Sequence, residues 1–426
     1  MNDLVHGGGP GAAVGVRHGD RPPYVAGFGL ADVEWGTAIA PDTVFRIGSV
    51  TKQFTAAAIM LLVEDGKLAL DDTIQSVLTD YPGRERRVTI RHLLNHTSGI
   101  PNFNSLPSFP ERTDLTVAEV IGLFKDLPPD FAPGERYVYS NSGFVVLGAI
   151  IEALSGVPYR TFLLERIFRP LGMRQTRYLY DEPIIAKRAR GYSIGPKGLE
   201  NARTMSMTLP HAAGALGSTA SDLLTWNRAL HGGRLLSGPS YAAMIEPAHL
   251  NDGSRSEYGF GLLNLTFRDR TVLTHLGGIN GFAAMAAHLP DDDLTVVVLS
   301  NLDSFPVERA LLALARRALD LPDLVARPRV AIAAGTLARC AGLYQSQVVP
   351  WLLPWRIVAH DGLLSAPFPM PDARYEPIGS NAFQCIDDPE ITLHFDQAGA
   401  AGYERVTVEG PMRWRWHLGI GQRVSA

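Results

Sequence analysis

The chain has 426 residues, which is longer than one domain usually is, so two domains are expected. Its hydrophobic content of 46% is enough for a large buried core. Its formal net charge of −4, with no block of lysine or arginine, argues against a nucleic-acid or anionic-membrane partner. A small molecule or a short peptide is therefore the expected substrate.

The cysteines and the N-terminus indicate the cellular setting. Cys340 and Cys385 are too few for a disulfide framework and have no CxxC partner or histidine cluster for zinc, so buried reduced thiols are expected. No basic region followed by a long apolar stretch opens the chain, and no later apolar run is long enough to span a bilayer. These features predict a cytoplasmic protein without a membrane partner, or a periplasmic or secreted one if a leader was removed.

The predicted elements of the first 325 residues place strands at both ends of a helical middle. Residues 12–34 alternate small apolar and turn residues like a β-hairpin with its turn at Gly19-Asp20. Helical and loop segments follow to about Leu230, and residues 271–303 read as three strands before a helix over Val307 to Leu319. The pattern predicts an α+β domain, 1–325, in which distant segments form one antiparallel sheet flanked by helices.

The remaining residues differ in pattern from the first 325. A break-rich stretch at 326–334 is predicted to be a linker. Residues 335–426 are rich in turns, β-branched residues and aromatics, which predicts a small all-β domain.

The first candidate catalytic element is Ser49-Val50-Thr51-Lys52, which opens a long amphipathic run, within residues 45–68, that reads as one helix. Positions three apart share a helix face, so the Ser49 hydroxyl and the Lys52 amine can share a proton. The helix dipole and an apolar environment would both lower the pKa of Lys52 toward that of a base. Taken alone, this motif also fits an ordinary helix start. The G-x-S-x-G elbow is excluded, because Ile47 and Thr51 stand where it needs glycines.

Two further elements strengthen the catalytic interpretation. Tyr139-Ser140-Asn141 lies at a break before an apolar helix, where Tyr139 with a lowered pKa could act as general base or acid and Asn141 could orient the lysine. An ordinary helix cap with Ser140 or Asn141 is the alternative. His275-Leu276-Gly277 ends a strand and is followed by Gly278, whose free N–H could form half of an oxyanion hole opposite that of Ser49. A simple strand-to-turn glycine pair is the alternative there.

The three elements together, in this order, resemble those of the penicillin-recognising serine hydrolases: class C β-lactamases, DD-peptidases, D-aminopeptidases and related esterases. The similarity covers roughly residues 9–320 and includes FRIG before Ser49, LLNHTSGIP, PGERYVYSNSGF and the LGM loop at 171–173. It implies a β-lactamase/transpeptidase-like fold with a helical subdomain. It also implies that Ser49 is acylated, that Lys52 and Tyr139 exchange its proton, that Asn141 orients, and that Ser49 and Gly278 supply oxyanion N–H groups.

The resemblance extends to the appended domain and bears on metals. Residues from Gly335 onward resemble the lipocalin-like barrels appended to such hydrolases, and their expected role is to cover the catalytic domain or to build a homo-oligomer. His92 and His96 have helical ligand spacing, but no Glu follows His92 as the zinc-protease pattern requires. Neither a metal nor a cofactor is predicted.

The departures from the family pattern concern the substrate. His275 and Leu276 replace the Lys and Thr that hold a substrate carboxylate in β-lactamases and many DD-peptidases, so weaker recognition of a free carboxylate is expected. This favours a D-stereospecific aminopeptidase or amidase. The alternatives are a carboxylesterase of the β-lactamase-like type, a β-lactamase or DD-carboxypeptidase, a thioesterase-like peptide cyclase and, outside enzymes, an acylated sensor or scaffold.

Overall fold

The computed structural model divides the chain into two compact units. The first comprises Met1–Asn264 and Arg270–Leu319, and the second comprises Leu265–Asp269 and Asp320–Ala426. The structure describes residues 4–5, 7–83, 87–106, 110–180, 184–322, 326–346, 354–368, 372–399, 402–412 and 415–422.

Five strands of the first unit form an antiparallel sheet that joins its two ends. In spatial order they are Arg270–Ile279, Phe282–Leu289, Leu294–Ser300, Ala12–His18 and Tyr24–Phe28, and the strand Leu263–Phe267 precedes Arg270 in the chain. Ala12 lies opposite Ser300, so segments almost 290 residues apart are neighbours in the sheet. Every residue of Leu294–Ser300 is buried, because this inner strand is covered on both faces. The predicted sheet assembled from distant segments, and with it the α+β class, is confirmed.

Helices and short strands fill the interval between the sheet strands Tyr24–Phe28 and Arg270–Ile279, and the helix Val307–Ala318 follows the last sheet strand. The helices of four or more residues are Thr51–Glu64, Ile74–Val77, Ile90–Leu94, Val117–Gly122, Asn141–Ser155, Tyr159–Leu171, His211–Gly214, Ala220–His231, Gly238–Ile245 and Val307–Ala318. Smaller strands are Leu30–Asp32, Thr37–Ala38, Phe45–Arg46, Arg177–Tyr178, Tyr192–Gly195, Gly198–Asn201 and Leu216–Ser218.

The helix Thr51–Glu64, called the central helix below, differs from its prediction. It begins at Thr51, inside the motif, so Ser49 lies in the preceding 3₁₀ turn, and every residue from Thr51 to Leu62 is buried. The expected amphipathic pattern is therefore wrong, because this helix lies inside the core. Phe54 stacks on Trp226 at 4.0 Å between ring centroids, and the Trp226 indole N–H donates to Gln53 at 2.8 Å. These contacts fix the helix in rotation and depth.

The second unit contains a closed barrel of eight antiparallel strands, which confirms the predicted all-β barrel. Closure leaves no unpaired edge, and large side chains such as Tyr344, Phe383 and Phe395 are fully buried in it. Cys340 and Cys385 are buried free thiols, as expected. The strands are Gly342–Ser346, Trp355–His360, Leu363–Ala366, Ala373–Pro377, Ala382–Cys385, Thr392–Gly399, Gly402–Glu409 and Arg415–Gln422.

The segment predicted as a linker makes backbone hydrogen bonds within the second unit. The N–H of Arg327 donates to Gln384 Oε1 at 2.9 Å, and the N–H of Val330 donates to the carbonyl of Pro377 at 2.9 Å. The helix Ala334–Cys340 follows and leads into the first barrel strand. This stretch is thus attached to the barrel at Arg327 and Val330.

Among the residues that the structure describes, no single helix has the length and apolar character needed to cross a membrane. The pair Asn141–Ser155 and Tyr159–Leu171 meets those two criteria only when its members are taken together, and it is bent by 77°.

Candidate active site

Ser49 lies in a 3₁₀ turn, Gly48–Val50, between the short strand Phe45–Arg46 and the central helix. Gly48 has φ +48°, and a Cβ at that position would lie 2.9 Å from the carbonyl oxygen and 3.0 Å from the nitrogen of Gly278. Both the backbone conformation and the close approach require glycine. The turn is therefore held against the strand Arg270–Ile279, called the glycine strand below.

Lys52 is fully buried, and its amine makes three short contacts. Nζ lies 3.0 Å from Ser49 Oγ, 2.8 Å from Asn141 Oδ1 and 2.8 Å from the carbonyl oxygen of Ala213. The amide and carbonyl oxygens can only accept, whereas the serine hydroxyl can also donate. A neutral amine can thus use its two N–H groups on these two oxygens and direct its lone pair at Ser49.

The electrostatic surroundings favour this neutral form. Burial holds the pKa of Lys52 well below its usual value. Its hydrogen-bond partners, Ser49, Asn141 and the Ala213 carbonyl, are uncharged, so none of them offsets the effect of burial. The structure thus places a base of lowered pKa within hydrogen-bond distance of a serine hydroxyl.

Tyr139 also lies at Ser49, but its acidity is the reverse of the predicted one. Its hydroxyl hydrogen-bonds the Ser49 side chain, and burial raises its pKa far above 10 in spite of that bond. The predicted lowering of the pKa was wrong, because a buried phenolate would have no charged partner if Lys52 is neutral. Tyr139 therefore stays protonated at neutral pH and is suited to donate a proton rather than to remove one.

Asn141 is the first residue of the helix Asn141–Ser155, and two other asparagines hold it in place. Its Nδ2 donates to Asn104 Oδ1 at 2.7 Å, and its backbone N–H donates to Asn102 Oδ1 at 3.1 Å. These bonds orient Oδ1 toward Lys52. Ser140 occupies the N-cap position without a side-chain capping bond, so the simple cap does not describe this break.

The two glycines of the glycine strand have different surroundings. A Cβ on Gly277 would lie 2.0 Å from the carbonyl oxygen of Ile47 and 3.2 Å from the nitrogen of Ser49, whereas a Cβ on Gly278 would meet no atom within 4 Å. Gly277 thus permits the strand to lie against the serine turn, and Gly278 is exposed beside it. The structure brings together the two segments whose N–H groups were predicted to form the oxyanion hole.

His275, predicted to contact substrate, lies inside the protein instead. Its side chain belongs to a residue only 3% exposed, Nε2 is 2.8 Å from the Tyr258 hydroxyl, and Nδ1 is 2.5 Å from the carbonyl oxygen of Leu276. Burial, the largest cause, lowers its pKa to about 3. The alternation of side chains along a strand turns His275 inward and leaves Leu276 partly exposed.

Several residues that support the site were not predicted from the sequence. His96 has φ +60°, accepts the Ser140 N–H at Nδ1, and packs its ring on Tyr139 and Tyr258 at 4.3 and 4.6 Å between centroids. His92, the histidine that shares helical ligand spacing with His96, accepts the Thr89 N–H at its Nδ1 at 3.1 Å. The polar Asn-Phe-Asn run at 102–104 was the one sequence signal for the asparagines, and no spacing pattern pointed to Tyr258.

Comparison with known proteins agrees with this geometry. The family described as Beta-lactamase matches residues 2–321. Penicillin-binding protein 4* of Bacillus subtilis (strain 168) is 31% identical over 351 residues, which cover 76% of this chain and 77% of that protein. The first four curated relatives that match are covered over 77, 65, 58 and 56% of their own lengths.

Solved structures show the same relationship. D-amino acid amidase from Ochrobactrum anthropi SV3, complexed with L-phenylalanine amide, is 29% identical with a TM-score of 0.63 and covers 69% of this chain and 87% of its own. The octameric penicillin-binding protein homologue from Pyrococcus abyssi is 24% identical with a TM-score of 0.67, covers 96% and 95% of the two chains, and is similar in fold. Because the family match spans most of the sequence, the chain belongs to the β-lactamase family.

Proposed function

We propose that the protein is a serine hydrolase that cleaves amide or ester bonds through an acyl-enzyme on Ser49, most like a D-stereospecific amidase or aminopeptidase. The observation that supports this most directly is the arrangement of Lys52, whose buried amine is bonded to two acceptor oxygens and lies 3.0 Å from Ser49 Oγ. A purely structural lysine has no need of a serine hydroxyl as its third partner.

The acylation step follows from these contacts. Ser49 Oγ attacks the substrate carbonyl carbon while its proton passes to the neutral Lys52 amine, and the carbonyl oxygen gains negative charge. The backbone N–H groups of Ser49 and Gly278 stabilise that oxyanion. Asn141 and the Ala213 carbonyl accept from the resulting ammonium, so the proton moves without any change in their positions.

The leaving group departs with a proton. Tyr139, protonated and hydrogen-bonded to Ser49, donates its proton to the leaving nitrogen or oxygen and regains one from Lys52. In deacylation a water attacks the Ser49 ester, gives its proton back through the same pair, and releases the acid with free Ser49. Lys52 and Tyr139 therefore act as one proton-transfer unit.

The preferred substrates follow from the glycine strand and from the relatives. Leu276 cannot donate a hydrogen bond and His275 is withdrawn from the surface, so neither takes over the carboxylate-holding role of the Lys and Thr found in β-lactamases. The similarity to a D-amino acid amidase supports amide substrates. Amides and esters that lack a carboxylate at the position next to Leu276 should therefore be preferred to penicillins.

The test uses D- and L-phenylalanine amide, p-nitrophenyl butyrate and nitrocefin, with intact-mass detection of the acyl-enzyme. Ser49→Ala should abolish turnover of every substrate that the wild type cleaves and should prevent labelling by a fluorophosphonate. Ser221→Ala, at an exposed helical serine, is the matched control. Labelling retained by Ser49→Ala would refute the nucleophile assignment, and nitrocefin cleaved far faster than the amides or the ester would refute the substrate class.

A further inference from the structure

The first unit contains a basic cavity of about 450 Å³. Among the described residues that line it are four arginines and no aspartate or glutamate. We call it the arginine cavity. Its lining includes Arg46, Arg188, Arg190, Arg203, Asn280 and Phe282.

Two of the four guanidinium groups have no carboxylate partner among the residues that the structure describes. Arg190 is paired with Glu34 at 2.5 Å, and Glu34 also accepts from Asn201 at 2.8 Å. Arg188 donates to the carbonyl oxygen of Tyr180 at 3.1 Å, which leaves its charge uncompensated. The exposed Arg203 likewise carries an unpaired charge. The cavity therefore has an excess of positive charge.

The cavity wall is a built structure rather than a loose surface. A Cβ on Gly191 would lie 2.6 Å from the Phe282 ring, and the Ala202 N–H donates to the Gly191 carbonyl at 3.0 Å. Asn280 donates to the carbonyl of Arg203 at 3.2 Å and to Glu111 at 2.7 Å. Asn280 thus engages Glu111, and Asp303 accepts the Gly281 N–H at 3.2 Å and the Ser193 hydroxyl. The arginines are thus presented from a fixed backbone, which lowers the entropic cost of binding.

The cavity lies beside the serine turn. Arg46 precedes Ser49 by three residues, and Asn280 follows Gly278 by two, which corresponds to about 7 Å along an extended chain. Leu276 lies on the other side of Gly278 along the same strand. A substrate carbonyl held by Ser49 and Gly278 therefore has Leu276 in one direction and the arginine cavity in the opposite one.

We propose that the arginine cavity binds a carboxylate carried at the far end of the substrate's acyl group, an inference that rests on the proposed acyl-enzyme function. Guanidinium groups bind carboxylates with paired, charge-assisted hydrogen bonds, and Arg188 and Arg203 have the free charge to do so. This site is distinct from the position next to Leu276, where family members hold a carboxylate on the other side of the carbonyl. The preferred acyl groups are thus those of dicarboxylic acids or of acidic amino acids.

The test compares two isosteric esters, mono-p-nitrophenyl adipate and p-nitrophenyl adipamate, which differ only in a terminal carboxylate or carboxamide. The wild type should favour the carboxylate ester by about tenfold in kcat/KM, the size expected of one charge-assisted hydrogen bond, and the preference should shrink as sodium chloride is raised. Arg188→Gln and Arg203→Gln should each reduce the preference, and the double variant should remove it. Arg169→Gln, an exposed arginine outside the cavity, should keep it.

The outcomes separate the two proposals. Turnover of both esters at equal rates would overturn the carboxylate site and leave the hydrolase standing. If neither ester is turned over, the site is tested by titrating Ser49→Ala protein with adipate and with adipamate in a calorimeter. Adipate should bind about tenfold more tightly, and the double arginine variant should abolish the difference. Equal binding of the two acids would overturn the carboxylate site independently of catalysis.

Discussion

The Tyr258 hydroxyl lies 2.8 Å from Nε2 of His275, so the imidazole is engaged inside the protein at the strand position where the family places a carboxylate-binding lysine. The ring is nearly inaccessible to solvent, and its pKa is lowered to about 3. A histidine that faced the substrate at this position would become a cation in acid. In the structure the ring is turned inward instead, and its protonation is disfavoured because it would place a charge on a buried imidazole.

The first prediction concerns pH and selectivity. Because His275 stays neutral, the ratio of kcat/KM for p-nitrophenyl butyrate over nitrocefin should be constant from pH 8 to pH 5. The measurement is that ratio at half-unit intervals, with enzyme integrity checked at each pH. A gain in nitrocefin cleavage with a midpoint near pH 6.5, absent in His275→Gln, would show that the imidazole does reach the substrate.

The second prediction concerns the proton-transfer unit. Lys52→Ala should lower kcat/KM by about 10³-fold or more and Tyr139→Phe by about 10²-fold, since each removes general acid-base catalysis. Because Lys52 and Tyr139 pass the same proton at Ser49, the double variant should be at most about tenfold worse than Lys52→Ala. Pre-steady-state acylation rates check this. If the two losses multiply, the residues act in separate steps.

The third prediction uses the two glycines of the glycine strand. Gly277→Ala should lower kcat by about 10²-fold or more, because its Cβ would lie 2.0 Å from the Ile47 carbonyl and would push the strand away from the serine turn. Gly278→Ala is the matched control, since its Cβ enters open space and the N–H is retained. The Gly278→Ala variant should lose far less of its kcat than Gly277→Ala. Equal losses in the two variants would mean that the close approach at Gly277 does not determine the geometry of the turn.

The sequence indicated the candidate catalytic elements because their chemistry is local. Ser49 and Lys52 are three residues apart, and this spacing indicates a nucleophile with its base even when the fold is not known. The strand pattern also revealed the sheet, since alternation and turn residues are local signals. Residue types and short spacings were therefore sufficient for the fold class and for the core of the candidate site.

The remaining features depend on contacts between distant segments. Asn104 orients Asn141 across 37 residues, and Ala213 binds Lys52 across 161 residues. The acidity of Tyr139 was predicted in the wrong direction because a lowered pKa needs a nearby cation, and burial removes the charge from Lys52 instead. No sequence pattern reports such burial. The buried hydrogen-bond partner of His275 is likewise Tyr258, 17 residues away in a different segment, which no local pattern reports.

The last prediction concerns acid stability and depends on a pair of histidines outside the candidate site. His231 and His288 stack at 4.3 Å between ring centroids with 7° between their planes. His231 Nδ1 is bonded to the Tyr241 hydroxyl at 2.8 Å, and His288 Nδ1 is bonded to the Thr295 hydroxyl at 3.0 Å. Burial lowers the pKa of His288 to about 4, against a smaller opposing effect of Asp293, and it lowers the pKa of His231 well below its usual value.

A folded-state pKa below the unfolded value of about 6.5 means that the unfolded chain binds more protons below that pH. The free energy of unfolding should therefore be unaffected by this pair above pH 6.5 and should fall as the pH is lowered toward 4, by about 2–3 kcal/mol for His288. Denaturant unfolding at several pH values measures the slope. His288→Asn should flatten it, whatever its stability at pH 7.5, whereas His249→Asn at an exposed histidine should not. An unchanged slope in His288→Asn would contradict the assignment, because the proton taken up on unfolding would then come from another group.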